Sequence, residues 1–393
     1  NNIIPKKQTH DVTCNGHDKV SLISENKNAQ RSFKHFLNNT DQQYNFADKL
    51  ILWSLIQINL RPDLSSPASK LQVLIKYQGV EKYFNSYANG SSHSPYIHLL
   101  QQIAREYKSN YSLANLAKHL DDHFNARIFV SQSLENFLQK NKKLIGSSKK
   151  LKRTYIRGDE TLKENERIPK IYYQGLINSY KKMYKKNQSQ YTINNFLFTH
   201  TYNKKQKIKC NFDMGLYQSS LFLINDQKVA SNLFGLKESK NSFMAASSIK
   251  HNKFETFKNS FIFTGSSNVR SASICSFIKN DSNAFATLWF FSTQSRDPGQ
   301  HLYHLTQYSI ENVKSARELT SLLSFSRHQF LKNPVRLIIE SRKSTDTQLN
   351  ELLKLNVPIY NAKKLGAIWA NYENKNQSSF ILDERRQGHI TCR

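Results

Sequence analysis

Two short apolar segments, each ending in polar groups, constrain this chain more than any other feature. The first is His251-Asn252-Lys253-Phe254 and the second is Phe261-Ile262-Phe263-Thr264-Gly265-Ser266-Ser267-Asn268. Read as strands, residues two apart share a face, so His251 and Lys253 project together. Gly265 permits a sharp turn after the second segment. Ser266, Ser267 and Asn268 can then meet the imidazole and the ammonium. A nucleophilic imidazole, a fixed cation and neutral hydrogen-bond donors suit attack on a phosphodiester.

The rest of the chain divides by pattern. At 393 residues, with roughly 150 residues per domain as a guide, two domains are expected. Residues 1–40 are polar and aperiodic, a loose arm. Residues 41–150 read as a helical accessory domain. Phe46 to Ile56 is apolar enough for a buried helix ended by Pro62, and Tyr96–Ala104 and Leu113–Phe124 repeat apolar side chains at helical spacing, with Ser112 as N-cap. Arg127–Val130 is a strand candidate. The boundary is expected near 146–165, and residues 151–393 form the second domain. From about 190 the pattern is α/β: Phe196–Thr199, Ile208–Phe212 and Ala284–Phe291 read as strands, and Asp226–Leu236 as a helix. Residues 309–360 read as a second start of one unit, with helix Ile310–Leu323, strand Val335–Ile339, helix Thr345–Leu355 and strand Val357–Tyr360.

Lys+Arg is 57 against Asp+Glu 29, a formal charge of +28. Such an excess favours a polyanion, nucleic acid or anionic phospholipid; a Lys-rich coding bias accounts for it equally well. The basic residues concentrate at Lys140, Lys142, Lys143, Lys149, Lys150, Lys152 and Arg153, then at Lys181, Lys182, Lys185 and Lys186. Tyr172, Tyr173, Tyr180 and Tyr184 are interleaved, which suits a single strand, an anionic membrane or a plain solvated face. Plentiful Phe and Tyr exclude a disordered basic tail. No apolar run reaches the ~18 residues of a membrane span.

Cys14, Cys210, Cys275 and Cys392 lack C-x-x-C spacing, which argues against zinc; they read as free thiols in a reducing compartment. His10, Cys14 and His17 fit no common metal set. His119 and His123 share a helix face but lack the Glu of H-E-x-x-H. No metal or cofactor is expected. The expected location is cytoplasmic, or inside a host cell as a secreted effector.

The set His251, Lys253, Gly265, Ser266 and Asn268 resembles the H-x-K … G-S-x-N signature of the phospholipase D superfamily over residues 251–273. The resemblance implies an α/β fold, a phospholipase D-like mixed sheet flanked by helices, following the mainly helical N-terminal domain. It implies a metal-independent phosphodiesterase, a nuclease by preference. His251 would attack phosphorus, Lys253 neutralise the non-bridging oxygens, and Asn268 and Ser266 add hydrogen bonds, with Gly265 and Ser267 forming the turn. The family's Asp falls on Lys258, and Glu255 is the nearest acid. One motif copy implies either a homodimer that supplies the second imidazole or a degenerate second half at 309–393. The alternatives are a phospholipase or phosphatidyltransferase, and an inactive basic binding module.

Overall fold

The computed structural model describes residues 20–88, 93–185, 191–194, 198–203, 206–211, 229–251, 256–257, 262–281, 284–307, 310–332, 334–375 and 378–392. Strand β1 (Ser21–Ser24) leads into helices α1 (Lys27–Asn38) and α2 (Phe46–Leu60), then a hairpin of β2 (Lys70–Tyr77) and β3 (Val80–Ala88). A helical stretch follows: α3 (Pro95–Glu106), α4 (Leu113–His123), α5 (Gln132–Lys140), α6 (Lys142–Ser147) and α7 (Lys149–Tyr155). The small ribbon β4 (Ile156–Arg157) and β5 (Glu160–Thr161) precedes α8 (Tyr173–Tyr184), β6 (Tyr191–Asn194), β7 (Phe198–Asn203) and β8 (Gln206–Asn211). Two hairpins come next: β9 (Asn232–Glu238) with β10 (Asn241–Ser248), and β11 (Ser273–Asp281) with β12 (Ala284–Thr293). The chain continues through α9 (Pro298–Gln307), α10 (Ala316–Leu323), β13 (His328–Lys332), β14 (Val335–Ile339) and α11 (Asp346–Leu353). It closes with β15 (Ile359–Asn361), β16 (Ala367–Asn374), β17 (Ser378–Ile381) and β18 (His389–Thr391).

Two antiparallel sheets stack face to face. One runs β18-β1-β9-β10-β2-β3-β6, the other β17-β16-β12-β11-β8-β7. Their facing side chains form one cluster, in which Leu74, Tyr83, Leu233 and Met244 of the first sheet meet Ile274, Trp289, Phe291 and Trp369 of the second. The outer face of the first sheet packs on α1 to α8 through Phe234, Leu236, Phe243 and Ala245. The outer face of the second packs on α9 and α10 through Cys275, Phe277, Leu288 and Phe290. The result is four layers: helix, sheet, sheet, helix. Strands covered on both sides must be apolar at successive positions, as in Phe243-Met244-Ala245-Ala246. Polar links also join the sheets: Lys76 Nζ lies 2.9 Å from the Glu373 carboxylate, and Trp289 Nε1 donates to Glu81 at 2.6 Å.

Local rules account for many elements. Helix α2 is buried almost throughout, so it carries no polar stripe. It starts at a capping box of Asn45 and Asp48, and Pro62 lies just past its end. The β2–β3 hairpin turns at Gln78-Gly79, both with positive φ (50° and 82°), the backbone that a two-residue hairpin turn requires.

The mixed phospholipase D-like sheet is not found, and the region expected to be a mainly helical domain of its own also supplies strands to a shared sheet. Strands β1, β2 and β3 are integral to the same sheet as β9 and β10, so that sheet crosses the expected boundary. Of the segment expected to be helical at Asp226–Leu236, residues 232–236 are strand β9; residues 226–228 lie outside the described residues. Among the described residues within and beside 251–264 there are isolated bridges, Thr256 with Phe263 and, flanking the segment, Lys250 with Ser266; residues 252–255 and 258–261 lie outside the described residues. The elements expected over 309–360 form, but β14 and β15 join β13 in a separate three-stranded sheet rather than repeating a unit. The cysteines are corrected too. Cys210 and Cys275, directly paired on β8 and β11, are disulfide-bonded with a Cα separation of 4.1 Å. Cys392 is disulfide-bonded as well.

Candidate active site

The motif residues build a loop clamped onto the end of the first sheet. Lys250 and Ser266 exchange backbone hydrogen bonds of 3.0 and 2.9 Å. The approach is so close that a Cβ on Gly265 would lie 2.3 Å from the Lys250 carbonyl oxygen; only glycine fits. Ser267 Oγ accepts from the Ala88 amide at 2.9 Å and donates to the Ala88 carbonyl at 3.1 Å. The Asn268 amide donates to Ser266 Oγ at 3.2 Å.

The half-buried His251 ring lies between Phe137 and Phe263. Its Nε2 is 2.7 Å from the Asp63 carbonyl and its Nδ1 3.3 Å from the Thr264 carbonyl. Burial pushes this imidazole below its ordinary range, opposed by the Asp63 and Thr264 contacts. Lys253 and Glu255 lie outside the described residues.

What this loop covers is a row of polar side chains that belongs to no sequence motif. In the β9–β10 ladder Asn232 pairs with Ser247, so Ser231, one residue before β9, lies opposite Ser248. Ser248 pairs in turn with Lys70 on β2. Directly opposed residues share a face, and here that face is the one between the sheets: Leu233, Met244 and Leu74, at even offsets from the row, all lie in the intersheet cluster. Ser231 Oγ and Ser248 Oγ share a hydrogen bond of 2.7 Å, and Ser248 Oγ and Ser271 Oγ one of 2.9 Å. All three serines are buried to within about 1% of full. Lys70 is 5% exposed, and its Nζ donates to the Val269 carbonyl at 3.3 Å. The loop 265–271 is therefore tied to the row at Ala88, Lys70 and Ser248.

The backbone before Ser231 is held as firmly. The Val229 amide donates to the Ser295 carbonyl and the Gln294 amide donates to the Val229 carbonyl, both at 2.8 Å. Thr293 Oγ1 also donates to the Val229 carbonyl, at 3.3 Å. Gln294 takes a positive φ of 61° to make this contact. Val229 is thus pinned to the end of β12 in one sheet, and Ser231 begins a strand of the other. Ala230 spans the gap. Asn232 points to the opposite face, donating to Ser65 Oγ at 2.9 Å and Gln57 Oε1 at 3.2 Å.

Buried ion pairs brace this end of the molecule. Glu25 accepts from both Arg61 and Arg386, and Arg61 also pairs with Asp63. The two guanidinium groups hold the Glu25 carboxyl below its usual range despite burial. Elsewhere His119 Nδ1 sits 3.1 Å from the Tyr44 hydroxyl, and no group of three or more metal-ligating side chains occurs among the described residues. Lys140, Lys142, Lys143, Lys149, Lys150, Lys152 and Arg153 stand exposed on α5 to α7. No helix among the described residues is long and apolar enough to cross a membrane.

No protein-family model and no curated protein matches this chain. Solved structures match it in fold. The structure described as LmbA2991T421A superposes with a TM-score of 0.67 at 9% identity, over 96% of this chain and 98% of that one. The cephalosporin acylase from Bacillus halodurans gives a TM-score of 0.65 at 10% identity, over 100% of this chain and 99% of that one. The chain shares the fold of these structures, antiparallel sheets stacked between helices. This match spans nearly the whole chain, whereas the phospholipase D resemblance rests on residues 251–273, and it overturns that resemblance. The phosphodiesterase and nuclease readings lose their basis with it. The letters of G-S-x-N have a packing reason here: Gly265 for the close backbone pair, and Ser267 to close the Ala88 amide and carbonyl.

Proposed function

We propose that the protein is an amidohydrolase of the Ntn type, with Ser231 as its nucleophile, and that it frees this residue by cutting its own Ala230–Ser231 bond. The observation that carries the reading is the buried hydroxyl chain Ser231–Ser248–Ser271 at the start of a strand inside the fold shared with the cephalosporin acylase. In the first step Ser231 Oγ attacks the Ala230 carbonyl carbon. The new C–O ester bond replaces the C–N bond, and the Ser231 nitrogen takes up the hydroxyl proton to become an amine. Water then hydrolyses the ester and leaves a carboxylate on Ala230. The freed amine is a base beside its own hydroxyl, an arrangement that activates a nucleophile without a separate histidine. A substrate amide would next pass its acyl group to Ser231 Oγ and release its amine, and water would complete the turnover.

The surroundings favour such a cut. The Ala230–Ser231 bond precedes β9, which begins at Asn232, so the cut falls outside that strand's ladder. The clamp on Val229 fixes the peptide that must be attacked. The Cys210–Cys275 disulfide supports an oxidising compartment rather than a reducing one.

The test is direct. The purified chain, run under reducing conditions and sequenced by mass spectrometry, should yield a fragment whose first residue is Ser231. Ser231→Ala should remain one chain. A wild-type chain that stays intact, or a Ser231→Ala chain that is still cut between Ala230 and Ser231, would sink the reading.

A further inference from the structure

We propose that helices α5 to α7 dock the protein on the surface of an anionic phospholipid bilayer. From Lys140 to Arg153 the chain carries six lysines, one arginine and no acidic residue. All seven cations are exposed. None of them forms an ion pair among the described residues, whereas the nearby Arg157 is paired with Glu166 and Lys163 with Glu160. Lys163, at 2.6 Å, and to a lesser degree Lys142 hold the Glu160 carboxyl below its usual range, so that acid is already engaged. The patch has a fixed outward side. Leu138, Ile145, Leu151 and Tyr155 are buried and tie the three helices to the core. Leu144, one residue before Ile145, is turned about 100° from it around the helix and stands 53% exposed beside Lys142 and Lys143.

The fold gains nothing from this charge by itself. On α7, Lys149 is a helical neighbour of Lys152 and Arg153, and Lys150 of Arg153. Like charges at three- and four-residue spacing repel and weaken a helix, and soluble surfaces ordinarily intersperse both signs. Anionic headgroups remove that repulsion, while the lysine stems and Leu144 meet the boundary of the acyl chains. A single-stranded nucleic acid fits less well, because it needs exposed rings on which bases stack. Tyr155 is buried against Phe263, and Phe137 packs on Phe263 and His251. On α8, which also carries lysines, Tyr173 and Tyr180 are buried and Tyr184 packs on His98. An exposed leucine among lysines contributes nothing to a phosphate backbone and favours a bilayer.

Sedimentation of the full chain with phosphatidylcholine vesicles, with and without phosphatidylglycerol, tests the assignment. Wild type should bind the vesicles that contain phosphatidylglycerol and stay free with phosphatidylcholine alone. Salt should release it as the concentration approaches ~1 M, where the screening length shrinks to about 3 Å. Each cation near an anionic surface contributes about fivefold to affinity. The quadruple variant Lys149→Gln/Lys150→Gln/Lys152→Gln/Arg153→Gln should therefore bind about 100-fold or more weakly, and Leu144→Ser about three- to tenfold more weakly. All five positions are exposed, and circular dichroism checks that each variant keeps its helices. Neutralising Lys181, Lys182 and Lys185 on α8 instead should leave binding within about fivefold of wild type. Wild type that ignores phosphatidylglycerol overturns the proposal. So does an α8 variant that loses as much as the α7 variant, which would mark a diffuse effect of net charge. Tighter binding to a single-stranded oligonucleotide than to vesicles, with Leu144→Ser changing neither, overturns the lipid partner in favour of nucleic acid. None of these readouts involves Ser231, so the result stands apart from the self-cleavage reading.

Discussion

Replacing Ser248 with alanine should slow cleavage at Ala230–Ser231 by about 10- to 100-fold. Ser248 Oγ makes hydrogen bonds of 2.7 Å to Ser231 and 2.9 Å to Ser271, and all three hydroxyls are shielded from water. A hydrogen bond to a group that carries charge contributes about 1.5–3 kcal/mol, and each ~1.4 kcal/mol at the barrier is a factor of ten. The lower part of that range applies, because a water molecule can partly replace so small a group. The same change leaves two buried hydroxyls short of a partner, at about 1–3 kcal/mol of stability. Rate and stability must therefore be read separately. Cleavage is timed by reducing gel electrophoresis from the moment of refolding, at a temperature well below the melting point of the variant. Ser248→Thr, which keeps the hydroxyl, should cut much faster than Ser248→Ala. If Ser248→Ala is folded and cuts at the wild-type rate, the hydroxyl chain has no part in the chemistry.

Three further outcomes follow from the same geometry. Cys210 precedes the proposed cut and Cys275 follows it, so a cleaved chain should run as one species without reductant and as two with it; separation without reductant would contradict the β8–β11 bridge. Glu25→Gln should cost about 3–5 kcal/mol in chemical denaturation, because it leaves the buried Arg61 and Arg386 without their shared carboxylate; a loss below about 1 kcal/mol would show that the cluster is better hydrated than its burial implies. His98, bonded to Tyr180 and stacked on Tyr191, has its pKa lowered to about 4, mainly by burial. Between about pH 6.5 and 4 the unfolded chain takes up a proton that the folded chain does not, so stability falls as the pH drops through that window, by about 2–3 kcal/mol in all, and levels off below it. His98→Phe should lose less over the same range, and equal losses would refute the assignment.

The sequence by itself determined what local chemistry decides. The continuous apolar run of α2 and its stop before Pro62 were legible, because a helix buried on every side needs no amphipathic stripe. Strand β12 and, further on, α10, β14, α11 and β15 were legible from apolar runs and turn residues, whereas β13 was not. The β2–β3 hairpin was equally available in Gln78-Gly79 between alternating residues, and was obscured by the helical patterns on either side. Strand β9 was misread as helix because Asn232-Leu233-Phe234-Gly235-Leu236 is too short for its period to decide. Only the tertiary structure decided the site. Ser231, Ser248 and Lys70 carry no motif, and they meet because the β9–β10 hairpin and the sequence-distant strand β2 fall into one register. The pairing of Cys210 with Cys275 is likewise a property of the ladder. His251 and Gly265 to Asn268 drew attention for their chemistry, yet the hydrogen bonds described for them involve backbone groups that close a loop over that row. A side chain's role depends on what faces it across the sheet, and strand order is the one quantity that local pattern does not contain.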